Sequence, residues 1–289
     1  MRRTTMIITG LVLLVAGACG GGQEVVTGAG GGGDVDNGSE VPRQVRPGGG
    51  DGGLVVSVEL GGGLLPPGQA FRLLPQAVVY EDGATLSPAA TIAIYPGPAL
   101  PAVTEGRVDE EVVDQLVAAA AGSGLLDGTE KDFGQPTVMD AATTTVTVVV
   151  DGQAYVTSVY GLGGPTVALP GITADQQRAQ DRVSEFVDLV SRTVVDAGGG
   201  QYVPERYRVL PLAPDQELDP AVEPDTRDWP LPEVDLREGE CTPVSGGQAD
   251  ELGEALESAS EITQWRTESG DTFTLSVRPV LPHEPDCPA

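Results

Sequence analysis

The chain has 289 residues and a formal net charge of −27, with 16 basic side chains against 43 acidic ones. So large an excess of carboxylates repels a phosphate backbone instead of neutralising it, which excludes nucleic acid as a partner. The length is enough for one or two domains with a real core, but 40 glycines and 24 prolines mean that part of the chain is low-complexity sequence.

Met1-Arg2-Arg3 precedes an uncharged, mostly apolar run from Met6 to Ala18 that ends in small residues, the layout of a secretory signal peptide. Thirteen residues are too few to span a bilayer. The run closes as Val15-Ala16-Gly17-Ala18-Cys19, which resembles the lipobox of bacterial lipoproteins, with Ala16 where leucine is commonest. The resemblance implies cleavage before Cys19 and a diacylglyceryl thioether on its sulfur, so that acyl chains such as palmitate hold the chain at the outer face of the cell membrane. Arginine in place of lysine at every basic position but Lys131, with abundant Ala, Gly and Val, is the composition associated with high-GC Gram-positive bacteria. Removing residues 1–18 takes away two arginines and no acid, so the −27 of the whole chain becomes −29 in the anchored form. That charge keeps it off an anionic lipid surface.

Residues 19–53 are then the lipidated cysteine and a Gly-rich tether, too poor in apolar side chains to repay the entropy of ordering. Gly-rich coil of this length reaches roughly 30 Å. Folded sequence begins with a strand at Leu54–Leu60. Phe71–Leu74, Ala77–Tyr80 and Thr91–Tyr95 read as further short strands, with Glu81-Asp82-Gly83 as a hairpin-type turn. Asp109 caps a predicted helix to about Ala121, with Val112, Val113, Leu116, Val117 and Ala120 on one face. Thr143–Val150 and Gln153–Leu162 flank Asp151-Gly152, the clearest hairpin in the chain. Thr173 and Gln176 form a capping box for a long helix whose Val183, Phe186, Val187, Val190 and Val194 make one apolar stripe.

These elements predict an α+β domain over 54–200, a mostly antiparallel sheet with helices packed on one face. The order of its hairpins and helices resembles several uncharacterised exported bacterial domains, a likeness of pattern that brings no activity with it. Residues 201–240 carry seven prolines and many carboxylates and read as an extended connector, pinned to a folded neighbour by Trp229. Residues 241–289 form a smaller α-β-β subdomain: a helix from Asp250 to about Ala259, then a hairpin of Ile262–Arg266 and Thr272–Val277. In an exported chain Cys241 and Cys287 are expected to pair. The chain-entropy value for the loop of about 46 residues so closed is roughly 4 kcal/mol.

Motifs for chemistry are sparse. His283 is the one histidine, so it is the sole candidate base for a Ser-His-Asp centre, and no G-x-S-x-G elbow accompanies it. It is expected at the surface beside the stapled tail. Lys131 lacks the glycine pattern of a phosphate loop, and the glycine runs lie in the tether, so no nucleotide and no cofactor is expected. Oxygen ligands for calcium are available at Asp215, Glu217 and Asp219, and the alternative is a solvated acidic connector. The expectation is a lipid-anchored envelope protein without turnover that contacts the membrane through its lipid and binds an envelope protein or wall component. Its alternatives are a receptor for a small ligand or calcium and a carboxylate-dependent envelope hydrolase.

Overall fold

A computed structural model describes residues 53–91, 93–129, 131–163, 170–214 and 222–287. Cys19, the tether up to residue 52 and the acidic trio Asp215, Glu217 and Asp219 lie outside the described residues. The fold is α+β, with two mostly antiparallel sheets and four helices among the described residues.

In chain order the elements are β1 (Leu54–Gly61), α1 (Pro67–Arg72), β2 (Ala77–Tyr80), β3 (Ala84–Pro88), β4 (Val103–Arg107), α2 (Glu110–Gly122), β5 (Thr143–Val150), β6 (Gln153–Tyr160), α3 (Ala174–Ala197) and β7 (Gly200–Gln201). They continue with β8 (Arg206–Leu212), β9 (Thr226–Asp228), β10 (Thr242–Ser245), α4 (Gly247–Glu257), β11 (Gln264–Arg266) and β12 (Thr272–Pro279). The first sheet runs β6-β5-β1-β2-β3-β4-β7 and is antiparallel throughout. The second runs β10-β8-β12-β11-β9, with one parallel pair, β11 with β9.

Period-two patterning decides which residues of the first sheet face the helices. Val56 and Val58 of β1, Val79 of β2, and Val146 and Val148 of β5 point to one face. There they meet Val113, Leu116 and Ala120 of α2 and Val183, Phe186, Val190 and Val194 of α3. Val55 joins the same core although it neighbours Val56, because β1 breaks register with β2 between Leu54 and Val56. On the opposite face Val78, Tyr80, Leu86 and Val103 pack against Leu281 of the C-terminal tail. A third cluster fills the second sheet, where α4 contributes Ala249, Leu252 and Leu256. Trp229 anchors its segment there as expected: it is buried, donates Nε1–H to the Val234 carbonyl at 3.2 Å, and meets Trp265 edge-on at 6.2 Å between ring centroids.

The expected hairpin is realised as β5 and β6, with Asp151 and Gly152 at φ of 54° and 75°, the pair of positive angles that a two-residue turn needs. The expected capping box is also realised: the Gln176 amide donates to Thr173 Oγ1, and the Gln176 side chain accepts from the Thr173 amide. Asp109 precedes α2 but makes no side-chain cap bond; Glu110 and Glu111 place negative charge at that helix end instead. Where α3 ends, Gly199 passes so close to β4 that an added Cβ would lie 1.7 Å from the Glu105 carbonyl oxygen, so only glycine lets β7 reach β4.

Three expectations are corrected. Phe71–Leu74 is no strand: Pro67 sets the helical φ of a first turn, and α1 lies on β12, with Ser276 Oγ donating to the Gly68 carbonyl at 2.6 Å. Thr91–Tyr95, apart from residue 92, is loop. The chain beyond it bonds the second sheet's surroundings instead of pairing beside β3, as in Ala99 N–H to the Ala259 carbonyl at 3.0 Å. The supposed connector 201–240 supplies β8 and β9, and β8 lies at the second position of its sheet. Pro211 is tolerated in β8 because β10 pairs only from Arg206 to Val209, so at the proline one side has no ladder to interrupt.

Phe186 is 2% exposed at the centre of the helix-to-sheet core. Phe186→Ala is expected to destabilise the fold by about 3–5 kcal/mol, read as a lower urea midpoint. A loss under about 1 kcal/mol contradicts this packing.

Candidate functional site

The polar centre of the molecule forms where the C-terminal tail crosses from the second sheet to the first. Arg208 of β8 stands directly opposite Arg278 of β12, and both are 8% exposed. Like charges so placed repel, and the counter-charge comes from Glu284. Its carboxylate pairs with Arg278, lies 3.6 Å from Arg208 and accepts from the Leu281 amide at 3.0 Å.

The remaining donors hold the tail's backbone. Arg208 donates twice to the Pro285 carbonyl, at 2.7 and 3.2 Å. Arg206 pairs with Asp286 at 2.6 Å and donates to the Leu281 carbonyl at 3.1 Å. Burial pulls the Arg208 pKa down, and Glu284 opposes that shift. The expected disulfide joins Cys241 to Cys287 with Cα atoms 6.0 Å apart, tying the tail's end to the chain entering β10.

So held, the tail places His283 against Tyr80, with Tyr80 Oη 2.8 Å from His283 Nδ1. This corrects the expectation of a surface histidine. Burial pushes the Tyr80 phenol far up, so it stays protonated. Burial also draws the imidazole below its ordinary value, with Arg278 and Arg208 adding to the fall and Glu284 opposing it. This histidine's side chain meets a phenol buried in a core, which makes His283 a fastening for the tail.

Two clefts open beside this cluster. The larger, of 630 Å³, lies among Tyr80, Leu86, Glu105, Tyr202, Glu205 and Pro282. The other, of 490 Å³, lies among Val103, Tyr207, Asp250, Glu254 and Glu257. Tyr202 and Val203 line both, and Val203 is 76% exposed on the ridge between them. Glu105, Glu205, Asp250, Glu254 and Glu257 have no ion pair among the described residues, while Arg206 at the rim is spent on Asp286. Burial, then Glu205 and Glu105, raises the Tyr202 pKa; burial, then Asp250, raises that of Tyr207. Both phenols are therefore neutral hydrogen-bonding groups in a negative field. Such walls suit a cationic group backed by an aromatic face. Among the described residues no three His, Cys, Asp or Glu side chains converge as a metal-holding set.

Sequence reasoning missed both the clamp and the clefts. The alternation in Arg206-Tyr207-Arg208-Val209 was a usable signal for β8, but nothing local pairs Arg208 with Glu284 or Tyr202 with Glu105.

Two outcomes test the clamp. Glu284→Gln leaves two buried guanidinium groups facing each other and is expected to cost about 3–5 kcal/mol in urea unfolding, the range for breaking a buried pair. Because the folded state draws the His283 imidazole below its ordinary value of 6.5, the unfolded chain binds more protons as the pH falls past that value. Stability is therefore full above that pH and falls on acidification, with a slope of at most about 1.4 kcal/mol per pH unit for one proton. His283→Asn is expected to flatten the stability curve between pH 7 and 5. An unchanged slope contradicts the lowered pKa of this half-buried imidazole.

No protein family, curated protein or solved structure matches this chain, and what the site does is read from its own residues.

Proposed function

We propose that this is a lipid-anchored protein of the bacterial cell envelope, whose folded body binds an envelope protein or wall component without converting it. The observation that carries the reading is the Val15-Ala16-Gly17-Ala18-Cys19 run at the end of a thirteen-residue apolar segment behind two arginines. The composition of residues 20–53 supports it, because a Gly-rich stretch of that length is a spacer. The two clefts support the binding role: they supply concave walls, neutral phenols and the carboxylates of Glu105, Glu205, Asp250, Glu254 and Glu257, which have no ion pair among the described residues, a lining that recognises a basic group on a partner.

One observation favours a second reading. A cleft of 630 Å³ is within the size range of small-molecule sites, and it draws Tyr80, Glu105 and Tyr202 from one side and Val280 and Pro282 from the tail on the other. In that reading the body is a receptor for a small ligand bearing an ammonium group.

A tagged full-length chain in intact cells, labelled with a clickable palmitate analogue, tests the anchor. The wild type is expected in the membrane fraction carrying label, and Cys19→Ala is expected to lose label and anchor together. Label or membrane retention that survives Cys19→Ala overturns the reading. Crosslinking before solubilisation tests the binding role: a specific adduct lost in Glu254→Lys supports the polymeric partner. Absence of any adduct, with a thermal shift on adding small amines, supports the receptor instead.

A further inference from the structure

The two sheets end in four edge strands, β6 and β7 in the first and β10 and β9 in the second. Three of them are guarded in the ways that discourage strand addition. β7 is two residues long. β10 carries Pro243, and the chain entering it is held by the Cys241–Cys287 disulfide. β9 is three residues long and bears Arg227 and Asp228, each engaged in an ion pair.

Among the described residues β6 has no such guard. It runs eight residues, Gln-Ala-Tyr-Val-Thr-Ser-Val-Tyr, without a charge, a proline or a glycine. Its pairing with β5 is unbroken from Val150↔Gln153 to Thr143↔Tyr160, so no bulge turns the edge away. In a chain of which 20% is charged, neither strand of this hairpin carries a charge; Asp151, in the turn, is the hairpin's one acid. Val156, near the middle of β6, is 63% exposed.

The turn determines which backbone groups are free. A two-residue turn makes Val150 and Gln153 a hydrogen-bonded pair. Alternation then commits the N–H and C=O groups of Gln153, Tyr155, Thr157 and Val159 to β5 and aims those of Ala154, Val156 and Ser158 outward. An extended strand can meet the whole row in register. Two copies that each carry a formal −27 repel one another as wholes, and the uncharged edge is where their approach adds no local repulsion. Two-fold symmetry also needs no second surface, because the same patch serves both partners.

We propose that β6 pairs antiparallel with β6 of a second copy about a two-fold axis at Val156, joining the two seven-stranded sheets. Val156 then faces its counterpart, and Ala154 faces Ser158. The outward groups of these residues make six main-chain hydrogen bonds, and the two valines cover each other on the face where each is now exposed.

Cysteine scanning of the full-length chain in intact cells tests the register. Opposed residues of a hydrogen-bonded pair have Cα atoms about 5.5 Å apart, within disulfide reach. Val156→Cys is expected to give an oxidised homodimer on a non-reducing gel. Ala154→Cys alone is expected to give none, and to crosslink when co-expressed with Ser158→Cys. Light scattering of the purified chain in detergent is expected to show a dimer that Val156→Lys converts to monomer, with an unchanged thermal midpoint showing that the variant folds. No crosslink at Val156, equal crosslinking at Val156 and Ala154, a wild-type monomer, an adduct only with a different protein, or a dimer that survives Val156→Lys would each overturn the proposal.

Discussion

The structure turns on one carboxylate. Arg208 and Arg278 face each other across neighbouring strands, and without a counter-charge that register would set two buried cations against one another. Glu284 supplies the charge from a chain segment that belongs to neither strand. The register of β8 with β12 and the path of the tail therefore depend on each other. The tail in turn carries Leu281 into the core beneath the first sheet and His283 onto Tyr80. One ion cluster thus couples a strand pairing in one sheet to the packed face of the other.

Burying such a cluster is not a gain in itself, since desolvation offsets most of the attraction and an apolar replacement is often as stable. What it contributes is direction. Leu281 alone would be content in many apolar positions, whereas five donors from Arg206 and Arg208 on the carbonyls of residues 281, 284 and 285 and on Asp286 accept only one path. The Cys241–Cys287 disulfide acts on the unfolded chain by closing its loop, and the arginines act on the folded one. The two devices are complementary, because a cross-link restricts where the tail can go without choosing how it lies.

The parts of the fold that were legible from sequence are those decided within a few residues. Asp151-Gly152 between two β-branched runs, the Thr173–Gln176 capping box, and the valine stripe of α3 each contain their own explanation. The parts that were not legible are decided by distant partners. Phe71–Leu74 is apolar enough for a strand, yet α1 forms because the surface of β12 receives it. β8 was hidden by Pro211 and by surrounding carboxylates, although Tyr207 and Val209 alternate correctly for a core-facing strand. His283 looked like a surface residue because a Pro-rich tail gives no hint of the phenol that it meets. The clefts bring together side chains far apart in sequence, Glu105 with Glu205 and Tyr207 with Asp250, and no spacing rule connects them.

The placement of these features on the first sheet has a consequence for binding. One face of the sheet is closed by α2 and α3, and the other meets the tail. The two lateral edges remain, and β6 and β7 stand at opposite ends of the strand order. The cleft lining begins at Tyr80 of β2, three strand spacings from β6, which at about 4.8 Å per spacing is roughly 14 Å. No residue of β6 or β5 lines either cleft, so a pair of copies joined at β6 places the joint away from the residues that line them. Two acidic sites held at fixed separation engage a partner with repeated basic groups far more tightly than either site alone, because the second contact forms at high effective concentration.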